Sequence, residues 1–433
     1  MNRFQITFGH CATLFVAVFI SLALIAQASA ERIQLEISAS GIRKIVVAVP
    51  SFVDGSGNQN SQAGNEIATM VARGLQFHGF IQIVDPAGYG MSRDVDWKAL
   101  DADYVVMGKF TSSGDGMVIE GRLLDVAQDK MLAGRRYKGA ANRRDDMTLR
   151  LVDALVEEFT GESGISRTSI AFVSDATGRK EVYVTDVLGN KVRQITRHNH
   201  LCVSPRFTAD GRSLAYSSYH RGNQNLYITG LNQTKVTRAL SIRKGMNLAP
   251  AFSPDGRTMV VTLSKDSTPD LYLMDRKGKI LERLTKRSGI NVSPSFAPDG
   301  KSIAFVSDRS GRPQIYIMDM LSRQVRRLTF QGSENAEPSW SSKGDRIVYT
   351  GLAGGKYQIF TISVSGGAPT QVSSGWGDFE SPTWSPDGKQ IAFTRKRNGH
   401  QEICAVFANG KELRTLFNLK GNQSYPRWSP GSK

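Results

Sequence analysis

Beyond residue 165 the apolar positions cluster in short runs, broken about every 8–12 residues by Gly, Asp or Pro. One stretch shows the grammar. Ser302-Ile303-Ala304-Phe305-Val306 is an apolar run and Asp308 to Arg312 a turn. Gln314-Ile315-Tyr316-Ile317-Met318 is a second run, Val325 to Thr329 a third, and Pro338-Ser339-Trp340 belongs to a fourth. Runs of β-branched and aromatic residues with this punctuation predict strands. Helices would need longer runs with apolar residues at 3.6 spacing, which this region lacks.

The pattern repeats. Pro205, Pro250, Pro294, Pro338, Pro382 and Pro426 lie 45, 44, 44, 44 and 44 residues apart. Two positions after each stands an aromatic: Phe207, Phe252, Phe296, Trp340, Trp384 and Trp428. A fixed period in the forties marks a repeat architecture, and four strands per unit match a propeller blade. Tyr183, Tyr227, Tyr272, Tyr316 and Phe360 share a second column, with Cys404 in sixth place. These columns predict core packing, not a ligand cage. Asp210-Gly211, Asp255-Gly256, Asp299-Gly300 and Asp387-Gly388 follow the aromatics, where tight hairpins need positive φ. The triplet of strands starting near Ile170 has no Pro-aromatic strand before it, and the strand at Tyr425–Trp428 has no triplet after it. Together they complete one blade. The expected fold is mainly β with an α/β N-terminal domain: a six-bladed β-propeller closed by the C-terminal strand, which leaves no exposed edge.

Residues 31–160 lack the period. Lys44 to Val49 reads as a buried strand and Phe80 to Val84 as another. Tyr104–Phe110 and Met117–Leu124 form a further pair around Gly114-Asp115-Gly116. Glu66–Phe77 and Asp146–Phe159 carry apolar residues at helical spacing, and Trp97–Leu100 reads as one helical turn. The predicted organisation is a leader over 1–30, an α/β domain over 31–160, a linker over 161–168 and the propeller over 169–433.

Residues 1–30 have the form of a secretory signal. Arg3 precedes an apolar stretch from Ala12 to Ile25, and Ala28-Ser29-Ala30 is a small-x-small cleavage site before Glu31. The expected mature protein is exported, with no transmembrane segment; a retained anchor is the alternative. Only Cys202 and Cys404 follow the leader. They fall in non-adjacent blades, which predicts two core thiols instead of a disulfide. The net charge of +16 is uneven: residues 31–160 hold 15 basic and 18 acidic residues, residues 161–433 hold 39 and 21. A basic propeller suggests an acidic partner or an anionic surface. Export argues against nucleic acid, the usual reading of such a charge.

No nucleophile elbow, H-E-x-x-H, P-loop or dinucleotide fingerprint occurs. His198 and His200 flank Asn199 without further ligand candidates nearby. Asp186, Asp275 and Asp319 become Gly230 and Ser363 in other units, which suits turn residues better than catalytic carboxylates. No catalytic, cofactor or metal residue is assigned.

The Ser381–Gly388 cassette (Ser-Pro-Thr-Trp-Ser-Pro-Asp-Gly), followed by Ile391-Ala392-Phe393, and the Ile315-Tyr316-Ile317-Met318-Asp319 string resemble the TolB family of propellers. Propellers fused to prolyl-oligopeptidase-type peptidases share the cassette. The order of signal, α/β domain and propeller, with no peptidase domain, resembles TolB along the whole chain. The resemblance implies a periplasmic, non-catalytic scaffold of the Tol-Pal system. Its implied partners are a Pal-like peptidoglycan-associated lipoprotein on the propeller and a TolA-like inner-membrane-linked protein on the N-terminal segment. It also implies a part in outer-membrane integrity, in constriction during cell division, and in bacteriocin transport.

The loops entering the Pro-aromatic strands vary from unit to unit, and variation on a repeated frame is where specificity resides. With the resemblance, they nominate His200; Met246, Asn247, Leu248 and Ala249; Ile290, Asn291 and Val292; Asn335 and Glu337; Phe379 and Glu380; and Tyr425 as contacts for the Pal-like partner. The segment Glu31, Arg32, Ile33, Gln34, Leu35, Glu36 and Ile37 reads either as an edge strand or as a segment that pairs with the TolA-like protein by strand addition. The competing functions are an exported hydrolase or lyase using the channel, and a sensor of a glycan or small ligand.

Overall fold

The computed structural model describes residues 37–38, 41–90, 92–231 and 237–431. The expected signal, its cleavage site and Glu31 to Glu36 lie outside them. Ile37 lies in a two-residue strand, Ile37–Ser38, paired antiparallel with Gly41–Ile42.

The N-terminal part is a five-stranded sheet in the order Ile81–Ile83, Ile45–Ala48, Tyr104–Ser113, Gly116–Asp125, Lys130–Ala140. Only Ile45–Ala48 pairs in parallel, with both of its neighbours. Helix α1 (Gln62–Phe77) starts where the Ser61 hydroxyl accepts the Gly64 N–H, and buries Ile67, Val71 and Leu75 at four-residue spacing. Helix α2 (Arg144–Thr160) buries Met147, Leu151 and Leu155 and ends at Gly161, whose φ of 72° only glycine adopts cheaply. Two elements differ from expectation. Trp97–Leu100 is a turn, pinned by the Trp97 ring against Tyr89. Lys130–Ala140 is an additional strand; it is a largely exposed edge carrying Arg135, Arg136 and Lys138, so it lacks the apolar alternation that signals a strand.

Beyond it stand six four-stranded antiparallel sheets. Their innermost strands are Gln423–Trp428, Cys202–Phe207, Asn247–Phe252, Asn291–Phe296, Asn335–Trp340 and Asp378–Trp384, here taken as blades 1 to 6. Blade 1 is closed as expected: Gln423–Trp428 pairs with Ser169–Ser174, setting Trp428 opposite Ile170. The second column lies in the core, with Tyr183, Tyr227, Tyr272, Tyr316 and Cys404 buried and Phe360 half-buried. The hairpin glycines Gly211, Gly256, Gly300 and Gly388 have φ of 67–72°.

Each innermost strand breaks register beside its proline, as between Val292 and Ser295. The residue before the proline there is left-handed: Ser204, Ser293, Glu337, Ser381 and Tyr425 have φ of 53–57°. A bulge adds one residue and sharpens the local twist, letting six strands crowd around one axis. Each such conformation costs about 1–3 kcal/mol, borne by the packing around it.

The two halves meet at blades 1 and 6. The Phe77 ring lies 6.0 Å from that of Trp428. The Phe77 carbonyl accepts from Gln390 Nε2 (3.2 Å) and Arg414 Nη2 (3.1 Å). Lys389 pairs with Glu162 at 2.9 Å. These propeller residues sit at the face bearing the Asp-Gly turns, so the opposite face is clear of these contacts.

Candidate functional site

The antiparallel order within a blade decides what shares a face. The innermost strand leaves the open face, the next returns to it, the third leaves and the outermost returns. The chain then crosses to the next blade. Every blade-to-blade connection therefore lies on the open face, around one mouth of the axial channel.

Five of these connections carry an exposed large apolar side chain. They are Leu201, Met246, Ile290, Phe330 and Trp376, with relative exposures of 41, 38, 47, 71 and 56%. Ile242 adds a sixth such side chain in the Met246 connection. All six side chains lie on connections of the open face. Leu201, Phe330, Trp376 and Ile242 were not among the nominated residues. The available signal was a bulky apolar side chain in a segment otherwise rich in Gly, Ser and charge.

The nominated residues divide into two sets. Met246 and Ile290 are exposed, as is His200; Leu248 and Val292 are half-buried. Ala249 lies in the strand Asn247–Phe252, its side chain outside the described residues. Asn247, Asn291, Asn335 and Phe379 are buried, which corrects their assignment as partner contacts. The asparagines brace the loops from beneath. Asn247 Nδ2 donates to the carbonyls of Gln224 (2.9 Å), Arg243 (2.6 Å) and Gly245 (3.0 Å). Asn291 Nδ2 donates to Asp270 Oδ1 (3.2 Å) and the Gly289 carbonyl (2.9 Å), while its Oδ1 accepts from Arg309 Nη2 (2.9 Å). Asn335 Nδ2 reaches Gln314 Oε1 and the Gln331 carbonyl, both at 2.8 Å. A buried amide satisfied this way fixes loop shape and presents nothing to a partner.

Glu337 also faces inward. Its carboxylate accepts from the Ser381 N–H (2.7 Å), the Ser381 hydroxyl (2.8 Å) and Thr350 Oγ1 (3.0 Å), clamping blade 5 to blade 6. Glu380 is held by Lys396, and the Tyr425 N–H donates to Thr394 Oγ1. Burial raises the Tyr425 phenol above its ordinary pKa.

The remaining chemistry candidates are structural. Asp186 and Asp275 accept backbone N–H groups of their own turns. Burial pushes the Cys202 thiol up to about 12 and Cys404 up to about 11, away from the thiolate a nucleophile requires. Both cysteines are free. Among the described residues no group of three or more His, Cys, Asp and Glu is arranged to hold a metal ion, and no helix is long and apolar enough to cross a membrane.

Comparison with known proteins gives the same architecture. Residues 156–432 match the family model of the TolB beta propeller domain, and residues 33–132 that of the TolB amino-terminal domain. The chain is 48% identical over 250 residues to the Tol-Pal system protein TolB of Desulfotalea psychrophila, covering 58% of this chain and 57% of that protein. A protein TolB homolog of Chlorobaculum tepidum is 36% identical over 281 residues, covering 63% of each chain. The crystal structure of TolB from Acinetobacter baumannii superposes with a TM-score of 0.79 at 27% identity, covering 89% of this chain and 97% of that one. The match spans less than two thirds of the curated relatives' length.

Proposed function

Because the chain belongs to the TolB family, we propose that it is a non-catalytic periplasmic scaffold of the Tol-Pal system. Its open propeller face docks a Pal-like peptidoglycan-associated lipoprotein. The segment Glu31–Ile37 engages a TolA-like inner-membrane-linked protein by strand addition, and the pair of contacts supports outer-membrane integrity and constriction at division. Bacteriocins that use this route would approach the same face.

The exposed large apolar side chains on five of the six open-face connections carry the reading. Soluble surfaces scatter large apolar residues singly, whereas their recurrence on one face of a repeated frame marks an interaction site. Met246 and Ile290 occupy equivalent places in adjacent connections, standing on the braced Asn247 and Asn291. That gives anchors on a rigid base, the arrangement of an interface hot spot.

The test is capture of a purified Pal-like lipoprotein by the full chain. Met246→Asp or Ile290→Asp alone should weaken capture by about 30-fold, since each anchor is worth about 2 kcal/mol, and the two together by up to about a thousandfold, while the melting temperature stays put. Unchanged capture would reject this face as the docking surface.

A further inference from the structure

At the other mouth the axial channel opens into a cavity of about 580 Å³, lined by propeller residues alone. Its walls include the repeated aromatics of all six blades, with Trp340, Trp384 and Trp428 on one side and Phe207, Phe252 and Phe296 on the other. The position between proline and aromatic also faces this region. In blades 3 to 6 it holds Ala251, Ser295, Ser339 and Thr383. In blades 2 and 1, which are neighbours, it holds Arg206 and Arg427. Both arginines line the cavity and are half-buried.

Their charge is unanswered. Among the described residues neither arginine lies within ion-pair distance of a carboxylate. Arg427 Nη1 leans on the carbonyls of Ser381 (3.2 Å), Pro382 (3.1 Å) and Pro426 (2.9 Å), and Arg206 Nη1 on that of Pro205 (3.0 Å). Elsewhere in the propeller the half-buried Arg283 pairs with Asp270 at 2.5 Å and Arg395 with Glu402 at 2.8 Å, whereas Arg243, Arg327 and Arg414 rest, like these two, on neutral oxygens. Burial lowers both pKa values, Arg427 to about 10, and each cation repels the other; Glu337 opposes this from a distance, its carboxylate already engaged by Ser381 and Thr350. A guanidinium stays protonated in proteins, so the cost falls on the missing counter-charge.

We propose that this cavity is a binding site for an organic carboxylate whose apolar body lies against the tryptophan and phenylalanine walls and whose carboxyl group is held by Arg206 and Arg427. Two adjacent guanidinium forks match a carboxylate in shape and charge. The aromatic walls favour an anion with an apolar body over a fully hydrated inorganic one. The site lies at the opposite mouth from the docking face, so either reading can fail without the other.

The test is titration of the full chain with phenylacetate and, separately, with inorganic phosphate, followed by fluorescence of the lining tryptophans. Phenylacetate should bind more tightly than phosphate. The double substitution Arg206→Lys and Arg427→Lys, which keeps the charge and removes the forks, should weaken it by about tenfold or more. Arg206→Met should also weaken binding, with a melting temperature equal to or above that of the parent, because an uncompensated buried charge is removed. Absence of phenylacetate binding, phosphate binding more tightly, or affinity unchanged in both variants would each overturn the proposal.

Discussion

The junction between the two halves contains a pair of buried titrating groups whose responses to acid oppose each other. His78 caps the C-terminus of α1. Its Nδ1 donates to the Gly74 carbonyl (2.9 Å) and its Nε2 accepts the Ile165 N–H (3.1 Å). That arrangement needs the neutral ring, because a second ring proton would point at the Ile165 N–H. A helix C-terminus favours a cation, by about 0.3–1 kcal/mol on the surface. Burial wins and pushes the imidazole down from 6.5 to about 4, with Asp387 and Lys389 acting on it in opposite directions. Nearby, Asp153 Oδ1 accepts the Ser166 N–H (2.7 Å), yet burial pushes its carboxyl up from 3.8 to about 6. The depressed His78 contributes stability that is full above 6.5 and lost as pH falls towards 4. The raised Asp153 contributes stability that is present below 3.8 and lost as pH rises through 6. Going from about pH 7 to about pH 5 therefore costs about 2 kcal/mol through His78 and returns about 1 kcal/mol through Asp153. Compared with the parent over that interval, His78→Gln should lose about 2 kcal/mol less and Asp153→Asn about 1 kcal/mol more. For a chain of this size each kcal/mol moves the melting temperature by about 1–2 °C. The assay is thermal unfolding of all three proteins at both pH values, read as the change with pH so that the packing cost of each substitution cancels. If both variants follow the parent's pH dependence, the assigned protonation states are wrong.

Asn291→Asp should destabilise the propeller by a few kcal/mol instead of selectively impairing docking, since it sets a second carboxylate against Asp270 Oδ1; urea unfolding separates the two outcomes. Trp428→Ala should cost about 3–5 kcal/mol, as it removes the Phe77 contact and the indole bond to Thr168 Oγ1 (2.8 Å) that help lock the closing strand; calorimetry would measure it. Gly79→Ala should loosen the two halves, because its Cβ would fall 1.7 Å from the Phe407 ring at a φ of 79°; faster proteolysis between residues 160 and 169 would report this.

Periodicity and turn chemistry are local properties, and they carried the architecture. The proline-aromatic period, the Asp-Gly hairpins and the unpaired strand at Tyr425–Trp428 were enough to predict six blades and their closure. The helical spacing of Ile67, Val71 and Leu75, or of Met147, Leu151 and Leu155, was equally legible. Lys130–Ala140 escaped because an exposed charged edge has no apolar alternation; its pairing with Gly116–Asp125 is what makes it a strand. The variable connections of the open face were legible, but not the direction of their side chains. Asn247 turns inward to three carbonyls while Met246 turns outward; the Arg243 and Gly245 carbonyls lie in the same loop, but the Gln224 carbonyl belongs to the preceding blade and is placed there only by the fold. Arg206 and Arg427 stand at opposite ends of the propeller sequence, and only closure of the ring sets them side by side. Local pattern fixes each blade; where charge gathers and which side chains face a partner depend on contacts between blades, which exist only once the ring has formed.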